Sequence, residues 1–302
     1  MSHEHHHHHH DHHVAADNGQ MRKILWAAIV LNLLFVGVEA GVGLWQSSLS
    51  LLSDAGHNLS DVFSLVLVVV GLHLVQVHSN ERYTYGYKKS TILISLANAI
   101  LLLVAVGVII AESVHKLREP ADVDGTVISW TAGVGILING LTTVLLMRGQ
   151  KGDINIRGAF LHMAADTLVS IGVVISGIVI KHTGWFIIDP IISIVIAIVI
   201  LFSTWELLRD SMRLALDGVP EGIEVEKVAE SMRRADHVTD VHHLHIWAMS
   251  TTENALTAHV VIDDEHEASA VRKTLKETLR AQGITHATIE IENGDECCDK
   301  EC

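Results

Sequence analysis

Two histidine–aspartate pairs with the same spacing lie in apolar parts of the sequence. His57 and Asp61 fall in LLSDAGHNLSDVF, and His162 and Asp166 fall in AFLHMAADTLV. Residues four apart share one face of an α-helix, so each segment offers an imidazole and a carboxylate in the same direction. Two such helices facing each other would supply two nitrogen and two oxygen ligands, a set suited to tetrahedral Zn²⁺. The spacing therefore predicts a four-ligand metal site, with a local hydrogen-bonded pair in each helix as the structural alternative.

Six apolar stretches are long enough to carry such helices across a bilayer, which takes about 20 residues. They cover approximately residues 24–45, 48–77, 91–114, 126–147, 155–180 and 187–208. Hydrophobic residues make up 49% of the 302 residues and charged residues only 19%, which excludes a disordered chain. The sequence thus predicts an α-helical membrane protein with six transmembrane helices between residues 21 and 210, embedded in the lipid bilayer. Ionisable residues inside such helices are functional candidates, because charge is costly in hydrocarbon.

The positive charges of the connecting segments predict the orientation of these helices. Six spans place both termini on one side of the membrane, and Lys and Arg concentrate on the cytoplasmic side. Ten of them flank the side that carries the termini, whereas the opposite loops hold three, namely Lys116, Arg118 and Lys181. We therefore expect a multi-pass protein of the inner, cytoplasmic membrane with both termini in the cytoplasm.

A histidine-rich segment precedes the first apolar stretch. Residues 1–20 hold nine of the 22 histidines and are predicted to form a disordered cytoplasmic tail. Six consecutive histidines are typical of a purification tag. The interspersed Glu4, Asp11, His12 and His13 favour a native metal-binding tail instead.

An acidic domain is predicted over residues 211–295, followed by a cysteine-containing tail at 296–302. From residue 215 onward, 19 acidic residues oppose eight basic ones, which argues against nucleic acid as a partner. Helical and alternating patterns follow in the order αββαβ, which predicts a small cytoplasmic α+β domain. Cys297, Cys298 and Cys302 are the only cysteines. In a reducing cytoplasm they favour metal-binding thiols over disulfides, with a tail of no specific role as the alternative.

Histidines recur in the first predicted strand of this domain, in the sequence VHHLHIW. Strict strand alternation predicts that His243 and His245 share one face and that His242 lies on the other. His259 falls on the next strand. A surface histidine cluster is the alternative to a metal site.

Together these residues resemble the cation diffusion facilitator family, in particular a bacterial zinc exporter. The resemblance covers nearly the whole chain after residue 20. It rests on SLLSDAGHNLSD, on the second His-x-x-x-Asp pair, on YGYKKST, on the Asp189–Pro190 start of the sixth helix and on VHHLHIW.

The family resemblance implies the function and the sites. His57, Asp61, His162 and Asp166 would form the transport site, and Zn²⁺ would leave the cytoplasm in exchange for protons. The cytoplasmic domain would be ferredoxin-like and would form a homodimer. Its metal ligands would be His242, His259, Glu290 and Glu292, with Zn²⁺ as a structural or regulatory ligand. Some members bind a further metal after the second helix, where this chain has Tyr83 and Tyr87, so we expect no such site here.

Three alternatives remain open from the sequence. The chain could export another divalent cation such as Cd²⁺, Co²⁺ or Ni²⁺, because the ligands do not distinguish these from Zn²⁺. It could be a membrane-anchored metal sensor or store, although six spans exceed what an anchor requires. An intramembrane metalloenzyme would need a general base beside an open metal position, as in H-E-x-x-H, and no span contains that motif. The sequence therefore predicts a transporter and not an enzyme.

Overall fold

The computed structural model describes residues 12–45, 49–118, 125–185 and 187–293. Within these ranges, six long helices precede a smaller α+β region. The helices are α1 (His12–Trp45), α2 (Leu49–Leu74), α3 (Ser90–Arg118), α4 (Gly125–Leu146), α5 (Ile154–Thr183) and α6 (Ile188–Ala215). The elements α7 (Val225–Arg233), β1 (Val238–Ala248), β2 (Asn254–Ile262), α8 (Ala268–Ala281) and β3 (Ile284–Asn293) follow, with a short 3₁₀ turn at Glu265–Glu267.

The long helices carry apolar side chains outside as well as inside. Leu34, Leu137 and Phe202 are 65%, 72% and 74% exposed. A helix that is apolar all round is typical of a membrane environment. In the described residues, the helical segments Met21–Val42, Ser90–Arg118 and Pro190–Ala215 are long and apolar enough to cross a bilayer. Shorter apolar segments lie in α2 and α4, so the chain has a helical membrane region.

The start of α1 differs from the sequence prediction. We expected disorder throughout residues 1–20, yet helical backbone begins at His12 and continues without a break to Trp45. Once a helix is nucleated, each further residue adds a backbone hydrogen bond, so an apolar helix can extend into a polar flank. The rest of the predicted tail, residues 1–11, lies outside the described part of the chain.

The chain divides into two compact units. The first unit comprises Met1–Leu72 and Ile100–Thr204. Its largest apolar cluster joins α1, α2 and α5 through Leu25, Leu65, Val68, Ile156 and Met163, all at most 2% exposed. These contacts fix the faces of α2 and α5 that carry the two sequence motifs.

Glycine sets the separation of α5 and α6 within the first unit. A Cβ atom at Gly172 of α5 would lie 2.5 Å from the Cδ1 atom of Ile196 in α6. Small residues at such contacts let membrane helices approach closely. A second cluster, formed by Val106, Ala165, Ala197 and Ile200, packs where α3, α5 and α6 meet.

A buried polar pair links α1 to α2. The side-chain amide of Asn58 donates to Oε2 of Glu39 at 2.7 Å, and both residues are under 9% exposed. A hydrogen bond to a charged group contributes about 1.5–3 kcal/mol, more than one between neutral groups. The buried Glu39 carboxylate thus has a partner in the residue that follows His57.

The second unit comprises His73–Ala99 and Trp205–Cys302. Its sheet has the order β1-β2-β3, in which β1 pairs antiparallel with β2 and β2 pairs parallel with β3. A parallel pair requires a crossover, which α8 provides. The predicted element order αββαβ is therefore present.

Two amphipathic helices build the core of this unit. Val271, Leu275 and Leu279 of α8 recur every four residues and are at most 4% exposed. The apolar side of α7 contributes Val228 and Met232 to the same cluster. Gly283 then ends the α8 segment with φ of +82°, a left-handed conformation that glycine adopts without strain.

The loop between α2 and α3 contacts the β1–β2 turn within the second unit. The ammonium group of Lys88 lies 2.5 Å from Oε2 of Glu253. The backbone N–H of Thr251 donates to Oγ1 of Thr91, at the start of α3, at 3.1 Å. Lys89 pairs with Asp217, just after α6. The turn is thus held by a charge pair and by a backbone hydrogen bond.

Candidate metal sites

Three of the four predicted membrane ligands converge in the first unit. Asp61 comes from α2, and His162 and Asp166 come from α5. Nε2 of His162 lies 2.5 Å from Oδ1 of Asp61 and 3.9 Å from Oδ2 of Asp166. One potential ligand atom from each residue lies within 4.8 Å of the other two, which is a spacing that a metal ion can bridge. We refer to these three residues as the membrane group.

Packing on either side of the membrane group fixes its geometry. Val62 and Met163 directly follow Asp61 and His162 in sequence and are both part of the apolar cluster between α2 and α5. Because adjacent helical residues point about 100° apart, these two can pack in the core while Asp61 and His162 face each other. The proposed metal ligands and the residues that pack α2 against α5 are therefore adjacent in sequence.

The membrane group is nearly dry. The side chains of Asp61, His162 and Asp166 are 1%, 8% and 13% exposed. Two carboxylates in a poorly hydrated space repel each other and lack solvation, so the group favours a cation or protons between them. Imidazole nitrogen together with carboxylate oxygen is a ligand set of Zn²⁺ sites.

His57 completes the predicted set in the sequence. Its backbone lies in α2, one turn before Asp61, and its side chain lies outside the described part of the chain.

A second group of possible ligands spans all three strands of the sheet. Nδ1 of His259 lies 2.5 Å from Oε1 of Glu292, and Nε2 of His242 lies 3.3 Å from Oε2 of the same carboxylate. Nε2 of His259 lies 3.5 Å from Oε2 of Glu290. The predicted residues His242, His259, Glu290 and Glu292 are thus neighbours. We refer to His242, His259 and Glu292, whose ligand atoms lie within 4.8 Å of one another, as the sheet group.

Strand register explains the sheet group. His242 pairs directly with His259 across β1 and β2, and His259 pairs with Glu290 across β2 and β3. Side chains at paired positions lie on the same face of a sheet and close together. Glu292 is buried, whereas the imidazoles are 29% and 27% exposed, so the site opens to solvent through its histidines.

The prediction for His243 was wrong. We expected it on the face opposite His242, yet its ring centroid lies 5.2 Å from that of His242 and 5.1 Å from that of His259. The register of β1 shifts between His242 and His245, and His243 has φ of +49°. Such an irregularity breaks strand alternation and re-aims a side chain. No sequence signal marked it, because the run VHHLHIW contains neither glycine nor proline.

Two further predictions concern the tyrosines of the α2–α3 loop and the cysteines near the end of the sequence. The rings of Tyr83 and Tyr87 contact each other in the α2–α3 loop, tilted by 37° with centroids 4.8 Å apart. The residues Cys297, Cys298 and Cys302 lie outside the described ranges.

Comparison with protein families matches both regions of the chain. Residues 25–214 match the cation efflux transmembrane domain, and residues 220–294 match the cation efflux protein, cytoplasmic domain. The first match alone covers more than half of the chain. The membrane group lies within the first match and the sheet group within the second.

Curated relatives align over most of their length. The cadmium, cobalt and zinc/H(+)-K(+) antiporter of Bacillus subtilis is 33% identical over 91% of this chain and 90% of its own. The zinc transporter ZitB of Escherichia coli is 34% identical over 98% and 96%. The metal cation efflux system protein CzcD of Cupriavidus metallidurans is 32% identical over 91% and 87%. With both regions and whole-length relatives in agreement, the chain belongs to the cation diffusion facilitator family of membrane metal transporters.

Proposed function

We propose that the protein exports Zn²⁺ from the cytoplasm in exchange for protons. The observation that carries this is the membrane group, in which two carboxylates and an imidazole from two helices converge in a nearly dry space. A metal store or sensor does not need such ligands between membrane helices, whereas a transporter must desolvate its cargo inside the membrane. The names of the relatives support metal transport, and several of them specify zinc.

In this proposal Zn²⁺ binds His57, Asp61, His162 and Asp166 as a tetrahedral set. His57 is included because His57 and Asp61 repeat the spacing of His162 and Asp166. Two nitrogen and two oxygen ligands suit Zn²⁺ better than Mg²⁺ or Mn²⁺, which favour more oxygen ligands. Six spans within residues 21–210, with both termini in the cytoplasm, would place the site between the two faces of the inner membrane.

Proton coupling follows from competition at the ligands. Imidazole and carboxylate groups bind metal only when deprotonated, so metal and protons exclude each other at one site. Opening of the bundle toward a more acidic exterior would protonate the ligands and release Zn²⁺. The protons would then be carried inward when the site returns.

The sheet group is proposed as a second Zn²⁺ site with a regulatory or structural role. Its ligands would be His242, His259, Glu290 and Glu292, and His243 is close enough to contribute as well. The match of residues 220–294 to the family's cytoplasmic domain supports assembly into a homodimer. Zinc bound there would tie the three strands together.

The second candidate cargo is another divalent transition-metal cation. One relative is named for cadmium and cobalt as well as zinc, and its counter-ions include potassium. The ligand types can also bind Cd²⁺ and Co²⁺, because selection among such metals depends on geometry and metal availability and not on affinity alone.

Transport into proteoliposomes with an imposed pH gradient tests the proposal. We expect Zn²⁺ flux that follows the sign of the gradient, that is lost in Asp166→Ala, and that persists in Glu112→Ala, which removes an exposed carboxylate of α3. Flux that does not depend on the pH gradient would contradict proton coupling. Flux that survives Asp166→Ala would show that the membrane group is not the transport site. Repeating the assay with Cd²⁺ and Co²⁺ ranks the cargoes.

A further inference from the structure

The outer face of α8 carries a concentration of positive charge in an otherwise acidic domain. Of the eight basic residues after position 215, four lie on this helix: Arg272, Lys273, Lys276 and Arg280. All four are exposed, and with Ser269 and one carboxylate, Glu277, they line a shallow groove on the surface. At 100° per residue they fall within an arc of about 100° around the helix axis, beside the apolar face that packs on the sheet. We refer to them as the basic face of α8.

The basic face differs from the other positive charges of the domain. Lys227, Arg233 and Arg234 of α7 and its C-terminal end pair with Glu224, Asp240 and Glu230 at 2.6, 3.8 and 3.1 Å. By contrast, none of the ion pairs found among the described residues 205–293 includes any of the four α8 cations. Four neighbouring cations repel one another, so a compensating anion would stabilise this surface.

A segment of the same chain has the matching charge. Residues 294–302 read GDECCDKEC and contain four acidic residues against a single lysine. This segment follows β3 directly.

The topology brings the start of that segment to the correct end of α8. Asn293, the last residue of β3, pairs with Ile262 of β2, and α8 begins six residues after Ile262. Because β2 and β3 are parallel and α8 is their crossover, a chain that turns back at Asn293 runs in the direction of α8. Nine extended residues reach about 30 Å, whereas the 14 residues of α8 span about 21 Å.

We propose that the basic face of α8 binds the acidic segment 294–302 of its own chain. The attraction is electrostatic and surface-exposed, so it should weaken as salt is added. It would hold the only three cysteine thiols of the protein against the cytoplasmic domain. This inference is independent of the metal that is transported.

Disulfide trapping in the full-length, zinc-free protein tests the contact. Cys298 is kept as the only tail thiol by Cys297→Ser and Cys302→Ser, and a second thiol is added by Ser269→Cys, in the middle of the basic face. The matched control is Thr274→Cys, which is also exposed but lies about 140° away around α8. Diamide oxidises the two thiols to one disulfide and takes up both hydrogens, and peptide mass spectrometry measures the rate.

We expect the disulfide to form about tenfold faster at position 269 than at position 274, because docking raises the local thiol concentration. Added salt should reduce this ratio toward one. The double reversal Arg272→Glu/Lys276→Glu should do the same, whereas Lys227→Glu/Arg234→Glu, an equal charge change on paired residues, should leave the ratio in place.

Three results would overturn the proposal. They are equal rates at the two positions, a ratio that survives Arg272→Glu/Lys276→Glu, and a disulfide that joins two chains. The last would assign the basic face to a second copy of the protein. Zinc transport is not part of the readout, so failure here leaves the proposed function untouched.

Discussion

The membrane group and the sheet group use the same ligand chemistry in opposite surroundings. Each combines histidine nitrogen with carboxylate oxygen, and in each the ligand atoms lie within 4.8 Å of one another. The side chain of His162 is 8% exposed in the membrane group, whereas those of His242 and His259 are 29% and 27% exposed in the sheet group. Water can solvate the empty sheet group, but it cannot readily solvate the membrane group. An empty, unprotonated membrane group is therefore the costlier state, which suits the proposed exchange of Zn²⁺ for protons.

The largest expected difference between the two groups follows from loss of a carboxylate of the membrane group. Substitutions of groups that merely orient metal ligands cost 10–100-fold in affinity, so Asp61→Ala should weaken Zn²⁺ binding by more than about 100-fold. Zinc tolerance of cells expressing the variant, and flux in vesicles, should both be lost. Zn²⁺ binding by the sheet group, measured by calorimetry, should remain. Retained tolerance would show that cells are protected by metal storage and not by export.

A change of ligand type at the same site should alter selectivity. His162→Asp replaces nitrogen by oxygen, which favours harder cations such as Mn²⁺. We expect the ratio of Zn²⁺ to Mn²⁺ flux to fall on the order of tenfold. His182→Asp makes the same replacement at an exposed position of α5 and serves as the control. An unchanged ratio would place selectivity outside the membrane group.

Loss of a sheet-group imidazole should have a smaller effect on transport. His259→Ala removes a proposed ligand whose Nδ1 atom lies 2.5 Å from Oε1 of Glu292. Zn²⁺ affinity of the cytoplasmic domain should fall, while flux at saturating Zn²⁺ should persist because the membrane group is intact. His245→Ala, an exposed histidine of the same strand region, provides the matched control. Complete loss of flux in His259→Ala would mean that the two groups act as one pathway.

The smallest expected effect concerns a histidine outside both groups. The hydrogen bond from His237 to Asp263, at 2.9 Å, raises the pKa of this imidazole, aided by the charges of Asp263 and the nearby Glu267 and Asp264. A raised pKa in the folded state stabilises the domain below the pKa of the unfolded chain, and this stabilisation is lost as the pH rises through the folded value. Asp263→Asn should therefore reduce the change in unfolding temperature as the pH rises from the unfolded pKa of the His237 imidazole through its raised folded pKa. A pH profile identical to that of the parent would contradict this role, and Asp236→Asn is the control.

The sequence predicts the membrane group better than the sheet group, for a physical reason. The pairing of His162 with Asp166 depends only on helical periodicity, which an apolar stretch makes easy to identify. The contact of these two residues with Asp61 requires a second helix, and the same His-x-x-x-Asp spacing in α2 indicated that helix. The sheet group depends on register between strands. The irregularity between His242 and His245 that brings His243 beside His259 is a tertiary outcome with no local signal.

Contacts distant in sequence were also beyond prediction. Lys88 and Glu253 are 165 positions apart, and the sequence marked Lys88 only as one of many loop cations. The hydrogen bond of Asn58 to Glu39 was not predicted either, because an amide next to a candidate metal ligand carries no sequence signal of its own. The start of α1 was misplaced because a histidine-rich composition indicates disorder, although it does not prevent a helix from continuing.

The β1–β2 turn has a practical consequence for fusion design. Short turns between antiparallel strands are usual places to insert a fluorescent reporter, but tolerance depends on the hydrogen bonds of the affected backbone. Here the N–H of Thr251 is bonded to Thr91, and Glu253 is paired with Lys88. A reporter in this turn would displace the α2–α3 loop. The exposed residues Glu221 and Gly222, before α7, lie in a turn closed by a single backbone hydrogen bond, from the N–H of Ile223 to the carbonyl of Pro220 at 3.3 Å, so an insertion there would break fewer contacts.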